Sequence, residues 1–214
     1  MKPAARPAHD SIIMRLSASN LTVERGSRPI ISNLSFALDA GECLAVTGPN
    51  GAGKSTLLRA LAGFLPLSSG SISLSPAPPE TLSQQVHYVG HADALKGLLT
   101  VTENLEFLAA LLDAGLGGLP VAEALAKLGL AHAARLPVAY LSAGQKRRVA
   151  LARLLAISRP VWLLDEPLTA LDAGSRVLVR QFMAGHLSQG GLIVAATHAA
   201  LDLTGQELRL GGVA

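Results

Sequence analysis

The residues of this chain best suited to chemistry lie in a glycine-rich segment that carries a lysine and two hydroxyl groups. Residues 48–56 read Gly-Pro-Asn-Gly-Ala-Gly-Lys-Ser-Thr and follow an apolar stretch at 43–47. Gly48, Gly51 and Gly53 let the backbone turn tightly, so that successive N–H groups point into one concavity at the positive end of the next helix. Such a concavity binds a phosphate group.

The side chains of the same segment suit a nucleoside triphosphate and its metal ion. Lys54 supplies a cation for the β- and γ-phosphates, the Ser55 hydroxyl is a Mg²⁺ ligand, and Thr56 donates a hydrogen bond to the α-phosphate. A chance glycine turn is the alternative, and the position between a strand and a helix argues against it. The predicted nucleotide contacts are Gly48, Pro49, Asn50, Gly51, Ala52, Gly53, Lys54, Ser55 and Thr56.

Two adjacent acids end an apolar stretch further along the chain. Asp165 and Glu166 follow Val161–Leu164, so a buried strand is expected to deliver both carboxylates to the carboxyl edge of a sheet. There Asp165 suits the Mg²⁺ shell, and Glu166 is placed to polarise a water for attack on the γ-phosphate. A solvated strand end is the alternative, and the presence of a phosphate loop in the same chain argues against it.

The segment Leu141–Gln145 precedes a helical pattern at 146–157. Ser142 and Gln145 have the three-residue spacing of a capping box, so an ordinary helix start explains the segment on its own.

Taken together and in this order, the motifs resemble the ABC ATPase family over nearly all of residues 12–200. Ala143 stands where the family more often has glycine. The matching segments are Gly48–Thr56 (Walker A), Leu163–Glu166 (Walker B), Leu141–Gln145 (signature), Ala170–Asp172 (D-loop) and His198 (switch histidine).

The resemblance implies a head-to-tail homodimer that binds two ATP molecules between its subunits. Each ATP would lie on the phosphate loop of one subunit and under the signature of the other, with Asp172 at the dimer contact. His198 would donate a hydrogen bond to the γ-phosphate and join Lys54 and Glu166 in catalysis. Lys146–Arg148, in the first turn of the signature helix, are expected to add positive potential there. The residues expected to contact ATP in trans are Ser142, Ala143, Gly144 and Gln145.

Two positions depart from the family pattern. Residues 23–27 contain no aromatic to stack on adenine, and we expect the planar guanidinium of Arg25 to stack there instead. His91 occupies the place of the usual glutamine in the coupling loop. We expect His91 to contact the metal-bound water or the partner, which would make coupling sensitive to pH.

The order of patterns predicts an α/β fold, and the resemblance implies that it is the P-loop NTPase fold of the ABC ATPase type. An N-terminal antiparallel β subdomain, with short strands at 12–16, 21–23 and 34–38, precedes the phosphate loop, and a helical subdomain is inserted later. The expected divisions are a disordered tail at 1–11, a core at 12–90 and 158–214, and the helical subdomain at 91–157.

The amino-acid composition argues against some classes of binding partner. The net charge is only +3 and aromatic residues make up 3%, which argues against nucleic-acid binding. Half of the residues are hydrophobic, yet no uninterrupted run reaches the length of a membrane-spanning helix. This hydrophobicity indicates a docking surface on another protein, or merely an Ala/Leu-rich composition. The single cysteine, Cys43, forms no intrachain disulfide, and a cytoplasmic location is the default.

A further set of segments is distinctive within the family: Glu24–Gly26, Gly90–Lys96, Leu99-Thr100, Glu103–Leu105 and Trp162–Asp172. Through these segments the chain resembles the ATP-binding subunits of the haem exporters of bacterial cytochrome c maturation. The resemblance implies peripheral attachment to the cytoplasmic side of the inner membrane through integral-membrane subunits, and ATP-driven release of chaperone-bound haem. The alternatives are an import or export ATPase for another substrate, such as a lipid or drug, an ABC ATPase acting on DNA or ribosomes, and a P-loop kinase.

Overall fold

The computed structural model describes residues 13–26, 28–78, 81–112 and 117–211. The tail expected at 1–11 lies outside the described residues. The described chain forms two sheets, one antiparallel with three strands and one parallel with five.

The antiparallel sheet has the order β2-β1-β4 and is built from β1 (Arg15–Arg25), β2 (Arg28–Asp39) and β4 (Ser69–Ser75). The predicted N-terminal antiparallel β region is confirmed, but its strands are longer than the predicted short ones, because β1 and β2 continue through their polar residues. Asn20 and Asn33 adopt left-handed backbone angles near the irregularities in the β1–β2 pairing, which lets both strands bend without ending.

The parallel sheet has the order β5-β6-β7-β3-β8. The predicted strands at 43–47, 161–164 and 192–196 are confirmed as its three inner strands, β3 (Cys43–Thr47), β6 (Val161–Asp165) and β7 (Leu192–Ala196). The edge strands β5 (Val86–Val89) and β8 (Gly205–Arg209) were not predicted. They are short, and β8 is mostly exposed and polar, so neither shows the apolar run that marks an inner strand.

Five α-helices complete the described fold: α1 (Lys54–Leu61), α2 (Val101–Leu111), α3 (Val121–Lys127), α4 (Ala143–Ala156) and α5 (Ala173–Ser188). Three of them, α2 to α4, lie between β5 and β6, where a helical insertion was expected. The boundaries of that insertion at 91 and 157 stay a prediction. In the described part of the chain, no helix combines the length and apolar character needed to cross a membrane.

The parallel sheet separates two hydrophobic cores because side chains alternate between its faces. On β6, Val161 and Leu163 face the core shared with α1 and the antiparallel sheet. Trp162 and Leu164 face the other core, shared with α5 and the helical insertion. Every residue of β6 and β7 is buried, so packing holds the ends of these strands, and the residues that follow them, in fixed positions.

His87 on β5 joins the sheet to the end of the helical insertion. Its side chain is 2% exposed, and its Nε2 lies 2.8 Å from the backbone oxygen of Ile157. Burial, aided by the positive charges of Arg153 and Arg159, lowers the pKa of His87 to about 3, so the neutral ring donates this hydrogen bond.

This buried histidine predicts a loss of stability in mild acid. The unfolded chain takes up a proton on His87 below its ordinary pKa of about 6.5, whereas the folded chain does not until about pH 3. Stability is therefore fully present above the unfolded pKa and falls with pH, by about 2 kcal/mol between pH 6.5 and 5 for this group.

The measurement is denaturant unfolding at pH 7 and pH 5, for the wild type and for His87→Gln. Glutamine keeps an N–H donor for the Ile157 oxygen but does not titrate, so the variant should lose less stability on acidification. Equal losses in both proteins would assign the pH effect to other groups.

Candidate functional site

The site is assembled where three inner strands of the parallel sheet end together. Ala196 of β7 pairs with Val46 on one side and with Asp165 on the other. The segments that follow these strands are the glycine loop, Glu166 and His198, and all three therefore emerge at the same edge of the sheet.

The glycine loop has the backbone that its sequence predicted. Gly48, Gly51 and Gly53 all have positive φ angles. A Cβ on Gly48 would lie 2.3 Å from the backbone oxygen of Leu210, so the loop also needs glycine there for space. Helix α1 begins directly after Gly53 and has no side chain capping it, which leaves its first N–H groups free to bind an anion.

Lys54 is held within the loop and is mostly buried. Its Nζ donates to the backbone oxygens of Gly48 at 2.7 Å and Pro49 at 3.1 Å. The same ammonium lies 3.2 Å from Nε2 of His198, and that nitrogen lies 3.1 Å from Oδ1 of Asn50. The lysine and the histidine, 144 positions apart, thus meet at one point, as their predicted shared role requires.

The two acids have different surroundings. Asp165 is 4% exposed at the end of β6. Glu166 has a left-handed φ of 49°, and its N–H donates to the oxygen of Ala196 at 2.9 Å. Its Oε1 is buried 3.6 Å from Nε2 of His198 and has no hydrogen-bond partner among the described residues. Glu166 therefore presents a free acceptor beside the lysine–histidine pair.

These groups line a cleft of about 680 Å³, within the range of small-molecule sites. Arg25 and His91, the two departures from the family pattern, lie on its wall. The sequence did not identify Ile30, Thr169 and Ala199 as cleft residues, because their place in the lining depends on how separate segments pack together. The lining residues are Arg25, Ile30, Asn50, Gly51, Gly53, Lys54, Ser55, Thr56, His91, Asp165, Glu166, Thr169, His198 and Ala199.

The signature segment does not line this cleft. Ser142 caps α4 as predicted: its hydroxyl accepts from the Gln145 N–H at 3.2 Å, and the Gln145 side chain accepts from the Ser142 N–H at 2.9 Å. A Cβ on Gly144 would lie 2.9 Å from the Ala170 oxygen, so glycine lets the helix start approach the D-loop of the same chain.

Asp172 at the end of the D-loop begins helix α5. Its Oδ1 accepts from the backbone N–H of Ser175 at 2.7 Å, and this hydrogen bond lowers the pKa of the carboxyl. Asp172 is therefore an ionised N-cap within its own chain.

The expectation that Lys146–Arg148 add positive potential near ATP was wrong for both arginines. Arg147 is 4% exposed and directs its guanidinium into its own chain, where it contacts Gly90, Asp93, Asp165 and Glu166. Arg148 also turns inward, to the oxygen of Leu128. Helical periodicity explains the error, because consecutive residues of a helix point in different directions and a run of like residues does not show which of them is buried.

Comparison with known proteins agrees with this geometry. The ABC transporter family matches residues 31–169. The chain is 54% identical over 202 residues to a "Cytochrome c biogenesis ATP-binding export protein CcmA" of Nitrobacter winogradskyi, covering 94% of this chain and 100% of that protein. A protein of the same name from Bradyrhizobium diazoefficiens is 50% identical over 204 residues, with coverage of 94% and 100%.

Solved structures give the same fold. An ATP-binding subunit of an ABC transporter superposes with a TM-score of 0.81 at 25% identity, over 91% of this chain and 85% of that one. A putative ABC transporter ATP-binding protein from Pyrococcus furiosus superposes with a TM-score of 0.80 at 22% identity, over 92% of this chain and 97% of that one. Sequence, fold and site agree: the chain belongs to the ABC transporter family and is one of its ATPases.

Proposed function

We propose that this chain binds ATP with Mg²⁺ in the cleft and hydrolyses it with Glu166 as the residue that activates water. The observation that carries the proposal is the free Oε1 of Glu166, which lies beside Nε2 of His198 and close to the phosphate loop. A carboxylate oxygen with no partner, next to a cationic phosphate site, is well placed to accept a hydrogen bond from an attacking water.

In this proposal the water oxygen forms a bond to the γ-phosphorus while the bond from that phosphorus to the β,γ-bridging oxygen breaks. Glu166 orients the water and accepts its proton, and ADP leaves with the bridging oxygen. Lys54, the N–H groups of the glycine loop and an N–H of His198 stabilise the negative charge on the transferred group. Lys54 must exchange its bonds to Gly48 and Pro49 for phosphate oxygens as ATP enters.

Ser55 and Asp165 fit a Mg²⁺ ion. Both line the cleft beside the phosphate loop, and a hydroxyl and a carboxylate are oxygen ligands of the kind this ion prefers. When bound, the ion would neutralise phosphate charge, and the two residues would hold it in place.

Arg25 and His91 are the two residues of the cleft wall that depart from the family pattern. Arg25 ends β1 on the cleft wall, and we propose that its guanidinium stacks on the adenine. His91 is exposed on the same wall near the acids, where it can contact the metal-bound water or a partner.

The role of Glu166 predicts a separation of binding from turnover. Glu166→Gln keeps the size of the side chain but removes its negative charge, so ATP affinity should persist while hydrolysis falls about 100-fold or more. Lys54→Ala serves as the contrasting variant, because it should lose binding itself. Fluorescent ATP binding and phosphate release measure the two steps, and wild-type hydrolysis by Glu166→Gln would disprove the assignment.

The ABC ATPases act as dimers, and we propose a head-to-tail homodimer for this chain. Ser142 and Ala143 are exposed at the start of α4 and lie outside the cleft of their own chain. A helix start carries positive potential, so that of α4 can contact the γ-phosphate of an ATP bound to a second copy, with Gly144 and Gln145 in the same turn. Ala170 of the D-loop lies against Gly144 at this helix start, and Asp172, two positions further along the chain, is our candidate for the dimer contact.

The homodimer predicts complementation between two inactive variants. Lys54→Ala damages the phosphate loop, and Ser142→Asp damages the signature by adding a negative charge while keeping a residue that caps helices well. A mixed dimer contains one site with both halves intact, so mixing should restore ATP hydrolysis that each variant alone lacks. Mixed dimers that form, as checked with two affinity tags, but stay inactive would rule out the shared site.

We further propose that the exporter served by this ATPase acts in cytochrome c biogenesis, with haem as the transported group. The relatives named for cytochrome c biogenesis match this chain at 50–54% identity over almost its full length. In this proposal the chain attaches to the cytoplasmic side of the bacterial inner membrane through integral-membrane subunits, and ATP turnover releases chaperone-bound haem.

A groove between the sheet and the helical insertion is our proposed docking surface for an integral-membrane subunit. Its volume is about 440 Å³. Phe64 and Leu111 line it and are 62% and 66% exposed, whereas the arginines Arg153 and Arg159 in its wall are buried. Among the described residues, neither arginine forms an ion pair with an acid. The groove therefore fits a cytoplasmic segment that is apolar and carries an acidic side chain.

The groove predicts a variant that keeps ATP chemistry but loses its membrane partner. Phe64→Asp and Leu111→Asp should reduce the amount of chain that co-purifies with membranes and leave ATP binding unchanged. Val177→Asp is the matched control, since Val177 is also exposed but lies on α5, away from the groove. Equal loss of membrane association in the control would show that added charge, rather than the groove, is responsible.

A further inference from the structure

Arg147 connects three segments that the sequence separates widely. Its NH2 donates to the backbone oxygens of Asp165 at 2.6 Å and Glu166 at 2.9 Å. Its NH1 donates to the backbone oxygen of Gly90 at 2.8 Å and to Oδ1 of Asp93 at 3.1 Å. A single buried guanidinium therefore joins the signature helix, the two acids and the loop that follows β5.

The contacts with the acids lie where the backbone is under strain. Glu166 has a positive φ, which is unfavourable for a residue with a Cβ and persists only when the surroundings hold it. Three hydrogen bonds do so: Ala196 accepts from its N–H, and Arg147 and the N–H of Thr169 donate to its oxygen. Of these three, only the bond from Arg147 comes from a charged group, which makes it the strongest type.

The fork of the guanidinium is essential to this arrangement. Its two terminal nitrogens donate to four acceptors, two in the 90–93 loop and two on Asp165 and Glu166, and the single ammonium of a lysine cannot span them. The loop on the other side includes His91, which lines the ATP cleft. Arg147 thereby links the 90–93 loop to the backbone of Asp165 and Glu166 through its own hydrogen bonds.

We propose that Arg147 is a positioning residue for ATP hydrolysis: it fixes the main chain of Asp165 and Glu166 and ties that position to the loop at 90–93. The inference rests on the role of Glu166 given under the proposed function. It goes further by assigning part of the catalytic geometry to a residue that touches neither ATP nor the attacking water.

The test compares Arg147→Lys with Arg148→Lys in the complex isolated from membranes. Both variants keep the charge and lie in the same turn of α4, but Arg148 contacts only the Leu128 oxygen among the hydrogen bonds described for its side chain. Arg147→Lys should lower kcat roughly 10- to 100-fold with little change in KM for ATP, because a small misplacement of a catalytic group is costly. Arg148→Lys should retain wild-type kcat.

Two further measurements separate positioning from simple structural support. Backbone hydrogen exchange at residues 163–169 should be faster in Arg147→Lys than in Arg148→Lys, while the Tm values of both stay close to that of the wild type. Asp93→Asn should lower kcat by a smaller factor. It removes the negative charge of the one carboxylate among the four acceptors and leaves the hydrogen bonds to the backbone oxygens of Asp165 and Glu166 in place.

Each outcome bears on the proposal. Unchanged kcat in Arg147→Lys, or a fall in kcat matched by an equal loss of ATP affinity or by a lower Tm, would overturn it. Glu166→Gln measured in parallel identifies which idea has failed. If Glu166→Gln is inactive and Arg147→Lys is normal, only the positioning role is wrong; if Glu166→Gln is active, the proposed role of Glu166 is wrong.

Discussion

The pairing of Ala196 with both Val46 and Asp165 sets the geometry on which the whole site depends. Parallel strands in register bring their carboxyl ends to one edge, so the glycine loop, Glu166 and His198 begin at the same level. A shift of β7 by one residue would turn every side chain of a fully buried strand to the opposite face. The hydrophobic cores on both faces of the sheet therefore fix the positions of polar groups that they do not touch.

Nε2 of His198 is the point at which the three segments meet. Three groups lie within 3.6 Å of this nitrogen: the ammonium of Lys54, the amide oxygen of Asn50 and the carboxylate of Glu166. A cation, a neutral polar group and an anion thus surround one nitrogen that can either donate or accept a hydrogen bond. A triphosphate that enters the cleft brings strong negative charge to this point, and the histidine is placed to respond to it.

Buried arginines hold the helical insertion against the parallel sheet. Arg147 reaches the oxygens of β6 and of the loop after β5, Arg153 reaches the oxygen of Tyr88, and Arg159 reaches the oxygens of Ser83 and Leu112. Arg153 is only 8% exposed, and this burial lowers its pKa to about 10. Backbone oxygens compensate these charges only in part, and for Arg153 and Arg159 this leaves the neighbouring groove attractive to an acidic group.

The sequence by itself determined the local motifs of this protein. The phosphate loop, the acid-bearing strand β6, the capping box at Ser142 and the inner strands could be predicted because each depends on residues close together in the chain. Their order was enough to indicate the fold and the family, and to name most of the residues that line the cleft.

The tertiary structure decided which of these residues act together and which are merely near in sequence. It continued β1 and β2 through Asn20 and Asn33, and it turned Arg147 inward although the sequence does not distinguish Arg147 from the other basic residues of its run. Such outcomes depend on which helix face or strand edge meets another segment. Packing between distant parts of the chain decides which faces and edges meet, as for Lys54 and His198, which are 144 positions apart, and no local sequence pattern contains this information.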